Sequence, residues 1–121
     1  AYNKISDEIE LYIQQWEKRL LSLDEKTISL KRNKQQRNIK QILGHLIDSA
    51  SNNTHRIIHL QNLPSPLIFP NYASNGNNDK WIAIQRYETE PWNIIVGLWK
   101  YANQHLAHVI RSVDITKKNA L

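Results

Sequence analysis

The sequence predicts an all-α protein, an up-and-down helical bundle that forms a single domain over residues 1–121. Three segments repeat apolar residues at the three- and four-residue steps of an amphipathic helix, and no segment alternates as a strand does. The length is that of one domain able to bury its own core. The chain has no cysteine and no apolar run of the roughly 18 residues that cross a bilayer. We therefore expect a cytoplasmic protein without a membrane partner.

Helix A, the first predicted helix, covers residues 5–22. Ser6 is its candidate N-cap, and the acidic Asp7, Glu8 and Glu10 that follow complement the positive end of the helix dipole. The apolar stripe that should face the core consists of Ile5, Ile9, Tyr12, Ile13, Trp16, Leu20 and Leu23.

Residues 24–37 show no clean apolar period, so helix B is predicted to begin after them, with Asn38 as its N-cap. It should end near residue 61. It stops before LPSPLIFP, whose prolines exclude a regular helix, and the asparagine-rich loop NYASNGNND comes next. The apolar positions of helix B are Ile39, Ile42, Leu43, Leu46, Ile47, Ala50, Ile57 and Ile58.

A short helical piece is predicted over residues 79–87. Helix C follows over residues 91–113, and Thr89 and Pro91 are the residues that indicate its start. The apolar stripe of helix C is Trp92, Ile95, Trp99, Ala102, Leu106, Val109, Ile110 and Val113. Because bundles commonly close with four helices, we expect a fourth helix that is missing or not included. A partner subunit or further residues could supply it.

The positive charge of the chain is concentrated in one connector. Residues 26–40 contain six Lys or Arg and no acid, which leaves ten basic and eleven acidic residues elsewhere, although the whole chain carries +5. The connector has no aromatic stacking residues and no known recognition element. Nucleic acid is therefore an unlikely partner.

Helix B carries a set of polar residues on one face. At about 100° per residue, His45, Asp48, Asn52 and Arg56 lie together on the side opposite the apolar stripe. One interpretation is a solvated helix face. Such faces usually carry Lys and Glu, however, whereas a histidine with an aspartate three residues later is a pair that can orient a metal ligand or a proton carrier. Both interpretations stay open on these residues alone.

His55 and His59 have the HxxxH spacing that lets two imidazoles on one helical face share a metal. Arg56 follows His55, so the glutamate of a zincin protease is absent. His45 lies ten residues from His55, about 15 Å along a helix, so one ion cannot bind both. We predict that His55 and His59 are surface residues.

His105 and His108 lie near the end of helix C. If helix C runs antiparallel to helix B, its end lies beside His45, and His45 could share a site with His105 or with His108. No further ligand is evident in the sequence, so the interpretation of His105 and His108 as residues of a polar face is favoured over a metal site.

The segments NIKQILGHLIDSASNNTHRI, FPNYASNGNNDKWIAIQRY, EPW and NQHLAHVI resemble the DinB-like family, over about residues 37–113. This is a bacterial group of helical proteins related to metal-dependent hydrolases and low-molecular-weight-thiol transferases. The resemblance implies an up-down-down-up four-helix bundle, frequently a homodimer, with a divalent metal held by three histidines at one end. His45 matches the histidine of the second helix, and Asp48, Asn52 and Arg56 match the polar residues that accompany it.

The chain also departs from the family pattern. The fourth helix, which carries the other two metal-binding histidines as HxxxH, does not occur in the sequence. Arg37 replaces a tryptophan common at the start of the second helix, and Gln41 replaces a usual glutamate. The chain thus supplies one of three family ligands.

Two functions follow as hypotheses. The first is a divalent-metal-dependent hydrolase or thiol-dependent transferase acting on an unknown small molecule, in which His45 and two histidines of an unseen helix hold Zn²⁺ or Ni²⁺; the catalytic residues are unknown. The second is a non-catalytic binding or assembly module that has lost the metal site. In that case the aromatic residues at helical spacing are core and dimer-interface anchors, namely Trp81, Tyr87, Trp92 and Trp99.

Overall fold

A computed structural model of the chain describes residues 2–30, 33–62, 72 and 76–113. Five α-helices and a short 3-10 turn make up this part, and it contains no β-strand, which confirms the all-α prediction. The helices are α1 (Tyr2–Leu21), α2 (Glu25–Ser29), α3 (Ile39–Asn62), α4 (Asn77–Gln85) and α5 (Trp92–Arg111), and the 3-10 turn is Tyr87–Thr89. LPSPLIFP, most of the asparagine-rich loop and the tail from residue 114 lie outside the described residues.

Contacts at both ends show that α5 runs antiparallel to α1. Near the start of α5, the indole Nε1 of Trp92 donates to the carbonyl of Leu20, at 2.6 Å. Near its end, the guanidinium of Arg111 binds Asp7 and Glu10 at the other end of α1.

In contrast, α3 and α5 are parallel. Lys40, in the first turn of α3, donates to the carbonyl of Glu90 just before α5, and Ala50 further along α3 packs with Leu106 and Ile110 near the end of α5. The antiparallel arrangement of helices B and C considered above is therefore wrong. The three long helices run up, down and down.

The main core lies along one side of α5. Ile95, Val96 and Trp99 are buried there with Ile13 of α1 and Leu43 of α3. Because α5 packs along both α1 and α3, while those two helices contact each other little, a groove remains between α1 and α3. Its volume is about 520 Å³, and its lining is mainly apolar.

The groove between α1 and α3 has large side chains on both walls. Several of them remain well exposed, with Tyr12 at 58%, Trp16 at 45% and Leu46 at 43%. Trp99 of α5 lies between the walls. An apolar surface of this kind on a helical layer is the face on which a further helix would pack.

The helix starts were predicted with mixed success. Asn38 is confirmed as the cap of α3: its Oδ1 accepts from the backbone N–H of Gln41 at 2.9 Å, and Oε1 of Gln41 accepts from the N–H of Asn38 at 3.1 Å. Gln41 thus completes a capping box. Ser6 is not the cap of α1, because that helix begins at Tyr2; Ser6 is buried and donates to the carbonyl of Ala107.

The α2 helix was not predicted. Its cap is Asp24, whose Oδ1 accepts from the backbone N–H of Thr27 at 2.8 Å, and Ile28 is buried. A five-residue helix is too short to show a hydrophobic period, so only the Asp24 cap could have indicated it.

Two residues of the basic connector have internal partners. Arg37 is buried and pairs with Asp79 of α4, and Lys40 is buried against the carbonyls of Glu88 and Glu90. The charged groups of Arg37 and Lys40 therefore bind other groups of the same chain. This reduces the positive charge that the connector can offer to a nucleic acid.

The aromatic residues divide into core and surface positions. Tyr87 and Trp99 are buried in the core and Trp92 packs at its edge, whereas Trp81 is 40% exposed and lies outside it. None of the described helices is both long and apolar enough to cross a membrane.

Candidate functional site

The candidate site is built around Asp48, which is 1% exposed. Its Oδ1 accepts from the hydroxyl of Tyr87 and from Nε2 of Gln85, each at 2.7 Å. Its Oδ2 is buried and has no hydrogen-bond partner among the described residues. The interpretation of this part of helix B as a solvated face is therefore wrong for Asp48.

The segment after α4 brings Tyr87 onto α3. Arg86 has a left-handed backbone, with φ 54° and ψ 51°, and this sharp change of direction ends α4 and starts the 3-10 turn. Lys40 fixes the far end of the turn by donating to the carbonyls of Glu88 and Glu90. A non-glycine residue in this region costs roughly 1–2 kcal/mol, so packing of the turn on α3 must hold it there.

Gly44 makes room for the Tyr87 ring. A Cβ atom at position 44 would overlap Cγ, Cδ2 and Cε2 of Tyr87. The absence of a side chain at Gly44 therefore lets the ring lie directly on α3, with its hydroxyl at Asp48 one turn further along.

His45 is partly buried beside this carboxylate. Its Nδ1 lies 2.7 Å from the hydroxyl of Tyr72, and the two rings are stacked, with centroids 5.7 Å apart and an angle of 18° between their planes. Tyr72 in turn meets Trp81 of α4 edge to face, at 5.5 Å between centroids. Two aromatic contacts thus hold Tyr72 over His45.

The environment sets the ionisation of both groups. Burial lowers the pKa of His45, and the nearby positive charge of Arg37 lowers it further. The imidazole is therefore neutral at pH 7, the form that binds metals or accepts protons. Burial raises the pKa of Asp48, and the hydrogen bonds from Tyr87 and Gln85 partly oppose that rise.

The tyrosine hydroxyls keep their protons at neutral pH. Burial is the largest cause that raises the pKa of Tyr72, and the negative charge of Asp48 adds to it. Burial and a hydrogen bond to Asp48 raise the pKa of Tyr87 in the same way. Both hydroxyls are therefore hydrogen-bond donors to whatever anion or lone pair faces them.

The remaining residues predicted for this face lie further from the carboxylate. Asn52 is partly buried, and its Nδ2 donates to the backbone carbonyl of Asp48 at 2.8 Å rather than to a side chain. Arg56 is exposed, one more turn along α3. The structure thus joins His45 and Asp48 in one cluster and leaves Asn52 and Arg56 at its edge.

The other histidines lie elsewhere. His55 is exposed, and its ring centroid is 6.3 Å from that of His59, which is partly buried, so the surface prediction is right for His55 and only partly right for His59. His105 and His108 are exposed and stack on each other at 6.1 Å. Because α5 is parallel to α3, the reason for expecting His105 and His108 beside His45 no longer holds.

The described residues do not complete a metal site. Across residues 2–30, 33–62, 72 and 76–113, no group of three His, Cys, Asp or Glu side chains is placed to hold an ion. His45 fits as one ligand, since its imidazole is neutral and no hydrogen bond engages Nε2 within the part of the chain described. The other ligands would have to come from outside this set.

His45 lies at the rim of the groove between α1 and α3. Ile42 and Ser49 line the groove, and they lie three residues before and four residues after His45, which makes them its neighbours on the helix surface. The site therefore has two sides. Asp48, Gln85 and Tyr87 close one, and the apolar groove opens on the other.

Sequence reasoning missed Tyr72, Gln85 and the role of Tyr87 in this cluster. Tyr87 was recognised only as an aromatic anchor, and Tyr72 belonged to a loop with no period. The QRY segment offered no local signal of its contact with α3.

No protein-family model, no curated protein and no solved structure matches this chain.

Proposed function

We propose that the protein is a divalent-metal-dependent hydrolase or thiol-dependent transferase of the DinB-like four-helix type, with His45 as one of its metal ligands. The observation that carries the proposal is His45 itself. Burial lowers the pKa of its imidazole, its Nδ1 lies 2.7 Å from the hydroxyl of Tyr72, and its neighbours on the helix surface, Ile42 and Ser49, line an apolar groove.

The groove supports the four-helix form of the proposal. An amphipathic helix placed between α1 and α3 would cover Tyr12, Trp16 and Leu46, which are exposed in the described structure. Its edge would pass His45, so ligands spaced as HxxxH on that helix could share a metal with His45. The up-down-down order of α1, α3 and α5 leaves an up-running position for it.

A divalent metal in such a site would lower the pKa of a bound water or thiol and so supply the nucleophile. On the side of the chain described, Tyr72 and Asp48 would hold the imidazole in place. Arg56, exposed on the same helix, would be available to an anionic group of a small-molecule substrate. The identity of that substrate is not indicated by these residues.

The test is the metal content of the purified protein, measured by elemental analysis without a histidine tag. The wild-type chain is compared with His45→Ala and with His55→Ala, a control that removes an exposed imidazole from the same helix. Near-stoichiometric Zn or Ni that is lost in His45→Ala and kept in His55→Ala supports the proposal. No metal in the wild type, or equal metal in all three proteins, contradicts it for this chain.

A non-catalytic binding or assembly module is the second candidate. Two observations favour it: the described residues lack a three-ligand set, and the exposed apolar groove is a surface on which another helix can pack. In that case His45→Ala leaves the metal content of the protein unchanged, while substitutions in the groove alter its association.

A further inference from the structure

The two oxygens of the Asp48 carboxylate have different surroundings. Oδ1 accepts two hydrogen bonds, from Tyr87 and Gln85, while the equally buried Oδ2 has no partner in the described part of the chain. A buried carboxylate oxygen without a donor destabilises the fold, and more so when the group is charged. Some nearby proton is therefore expected to be shared with Oδ2.

Tyr72 is the donor in reach whose proton is not already committed to Asp48. Tyr87 donates to Oδ1, and Nε2 of Gln85 donates to Oδ1 and to the carbonyl of Trp81. The Tyr72 hydroxyl lies 2.7 Å from Nδ1 of His45, and it is near enough to the Asp48 carboxylate for each group to shift the pKa of the other, although it forms no hydrogen bond with Oδ2 in the structure. A hydroxyl has one proton to donate and lone pairs to accept with, so its orientation decides the tautomer of His45.

We propose that the Tyr72 hydroxyl donates to Oδ2 of Asp48 and accepts a hydrogen bond from Nδ1–H of His45, which leaves the lone pair of the neutral imidazole on Nε2. Asp48 and Tyr72 are then positioning residues that act through His45. A chain of this kind, from carboxylate to hydroxyl to imidazole, fixes both the ring orientation and the tautomer.

The opposite arrangement is chemically defined and distinguishable. If Asp48 carried a proton on Oδ2, that proton would go to the oxygen of Tyr72, and Tyr72 would donate to Nδ1 of His45. The imidazole would then carry its proton on Nε2. Burial favours the protonated acid, whereas the two hydrogen bonds to Oδ1 favour the carboxylate. The tautomer of His45 reports which arrangement holds.

This hydrogen-bond chain rests on the proposed function only in the role that Nε2 of His45 would have there, as a metal ligand or a general base. A lone pair fixed on Nε2 is what a metal ligand or a general base requires. The hydrogen-bond chain itself can be measured without metal and without substrate. Failure of the proposed function and failure of the inference are therefore separate results.

The experiment is long-range ¹⁵N–¹H correlation spectroscopy of the histidine side chains, in metal-free buffer at pH 8. The His45 signals are assigned by their loss in His45→Ala. The variants are Asp48→Asn and Tyr72→Phe, and Tyr101→Phe, on an exposed tyrosine of α5, is the matched control.

The wild type and Tyr101→Phe are expected to show the proton of His45 on Nδ1. In Asp48→Asn, the side-chain oxygen must accept from Tyr87 and Gln85, so the amide N–H₂ takes the place of Oδ2 and donates to Tyr72. The relay then reverses, and the proton of His45 moves to Nε2. Tyr72→Phe is expected to return His45 to the Nε2–H form that free imidazoles prefer in water.

An Nε2–H tautomer in the wild type overturns the proposal. This result comes from the wild-type protein alone, so it does not require that any variant folds. A tautomer that stays on Nδ1 in both Asp48→Asn and Tyr72→Phe also overturns it, because neither residue would then be controlling the proton.

Discussion

Asp48 is a carboxylate that the fold buries under an aromatic ring. Its oxygen Oδ1 accepts from the buried hydroxyl of Tyr87 and from the amide of Gln85, which is an exposed residue. The negative charge is not essential for these two bonds, because an amide oxygen can also accept them, although more weakly than a carboxylate oxygen. Stability and charge can therefore be separated at this position.

We expect Asp48→Ala to lower the free energy of unfolding by about 1–3 kcal/mol, since it removes the carboxylate acceptor of the buried Tyr87 hydroxyl. Asp48→Asn keeps the acceptor and removes a buried charge, so it should stay within about 1 kcal/mol of the wild type. Urea denaturation at pH 7 measures both. An alanine variant as stable as the wild type would show that the bonds to Oδ1 contribute nothing.

Gly44 and Gly97 form a natural pair for testing the contact with Tyr87. Gly44→Ala places a methyl group in the Tyr87 ring, and we expect a loss of about 1–3 kcal/mol from overpacking. Gly97→Ala meets no atom within 4 Å and lies inside α5, so a gain of up to about 1 kcal/mol is expected from helix propensity. Thermal unfolding of the two variants should shift in opposite directions; equal shifts would contradict the packing described.

At the scale of the elements, Lys40 connects α3 to the turn that carries Tyr87. Lys40→Met retains the buried aliphatic stem and removes the donors to the carbonyls of Glu88 and Glu90. We expect a loss of about 1–3 kcal/mol in urea denaturation, and a smaller effect for Lys80→Met on the exposed surface of α4. Equal effects of the two substitutions would mean that the ammonium of Lys40 is not holding the turn.

Arg111 joins the end of α5 to the start of α1 through Asp7 and Glu10, and the bond to Arg111 lowers the pKa of Glu10 from 4.5. A lowered pKa in the folded state means that the contribution is present above pH 4.5 and is lost as the pH falls through the lowered value. We therefore expect the melting temperatures of the wild type and Arg111→Gln to differ slightly at pH 7 and to converge at low pH. High salt should reduce the difference too, because the groups are exposed. A difference that persists at low pH would contradict this role.

The sequence predicted the helices better than their ends and directions. The helix predicted from the apolar period of helix B and its Asn38 cap were right, because both are local signals, although Leu46 and Ile58 of the stripe are exposed. Ser6 has the same residue type as a cap, but a buried bond to Ala107, 101 residues away, determines its place. The direction of α5 relative to α3 was not encoded locally either, since the long connector between them permits either arrangement.

At the scale of the whole molecule, two of the five residues of the candidate cluster could be recognised as site residues from the sequence. His45 and Asp48 share one helix, so their spacing brought them together on the wheel. Tyr72 lies 27 residues from His45, and Gln85 and Tyr87 lie 37 and 39 residues from Asp48. Those contacts depend on how α4 and the 3-10 turn pack on α3, and the spacing of apolar residues in the sequence does not indicate this packing.

The groove between α1 and α3 leads to a prediction about association. Because Trp16 and Leu46 leave it lined with exposed apolar surface, we expect the 121-residue chain to cover the groove by pairing with a second copy. Sedimentation velocity over a range of concentrations should then give a mass above the 14.2 kDa of one chain. Trp16→Glu and Leu46→Glu should shift the protein to the monomer without loss of helicity. Ile84→Glu, at a site 79% exposed on α4 and outside the groove, is the control and should associate as the wild type does. A wild type that stays monomeric, or a control that dissociates equally, would mean that the groove is not the surface through which copies meet.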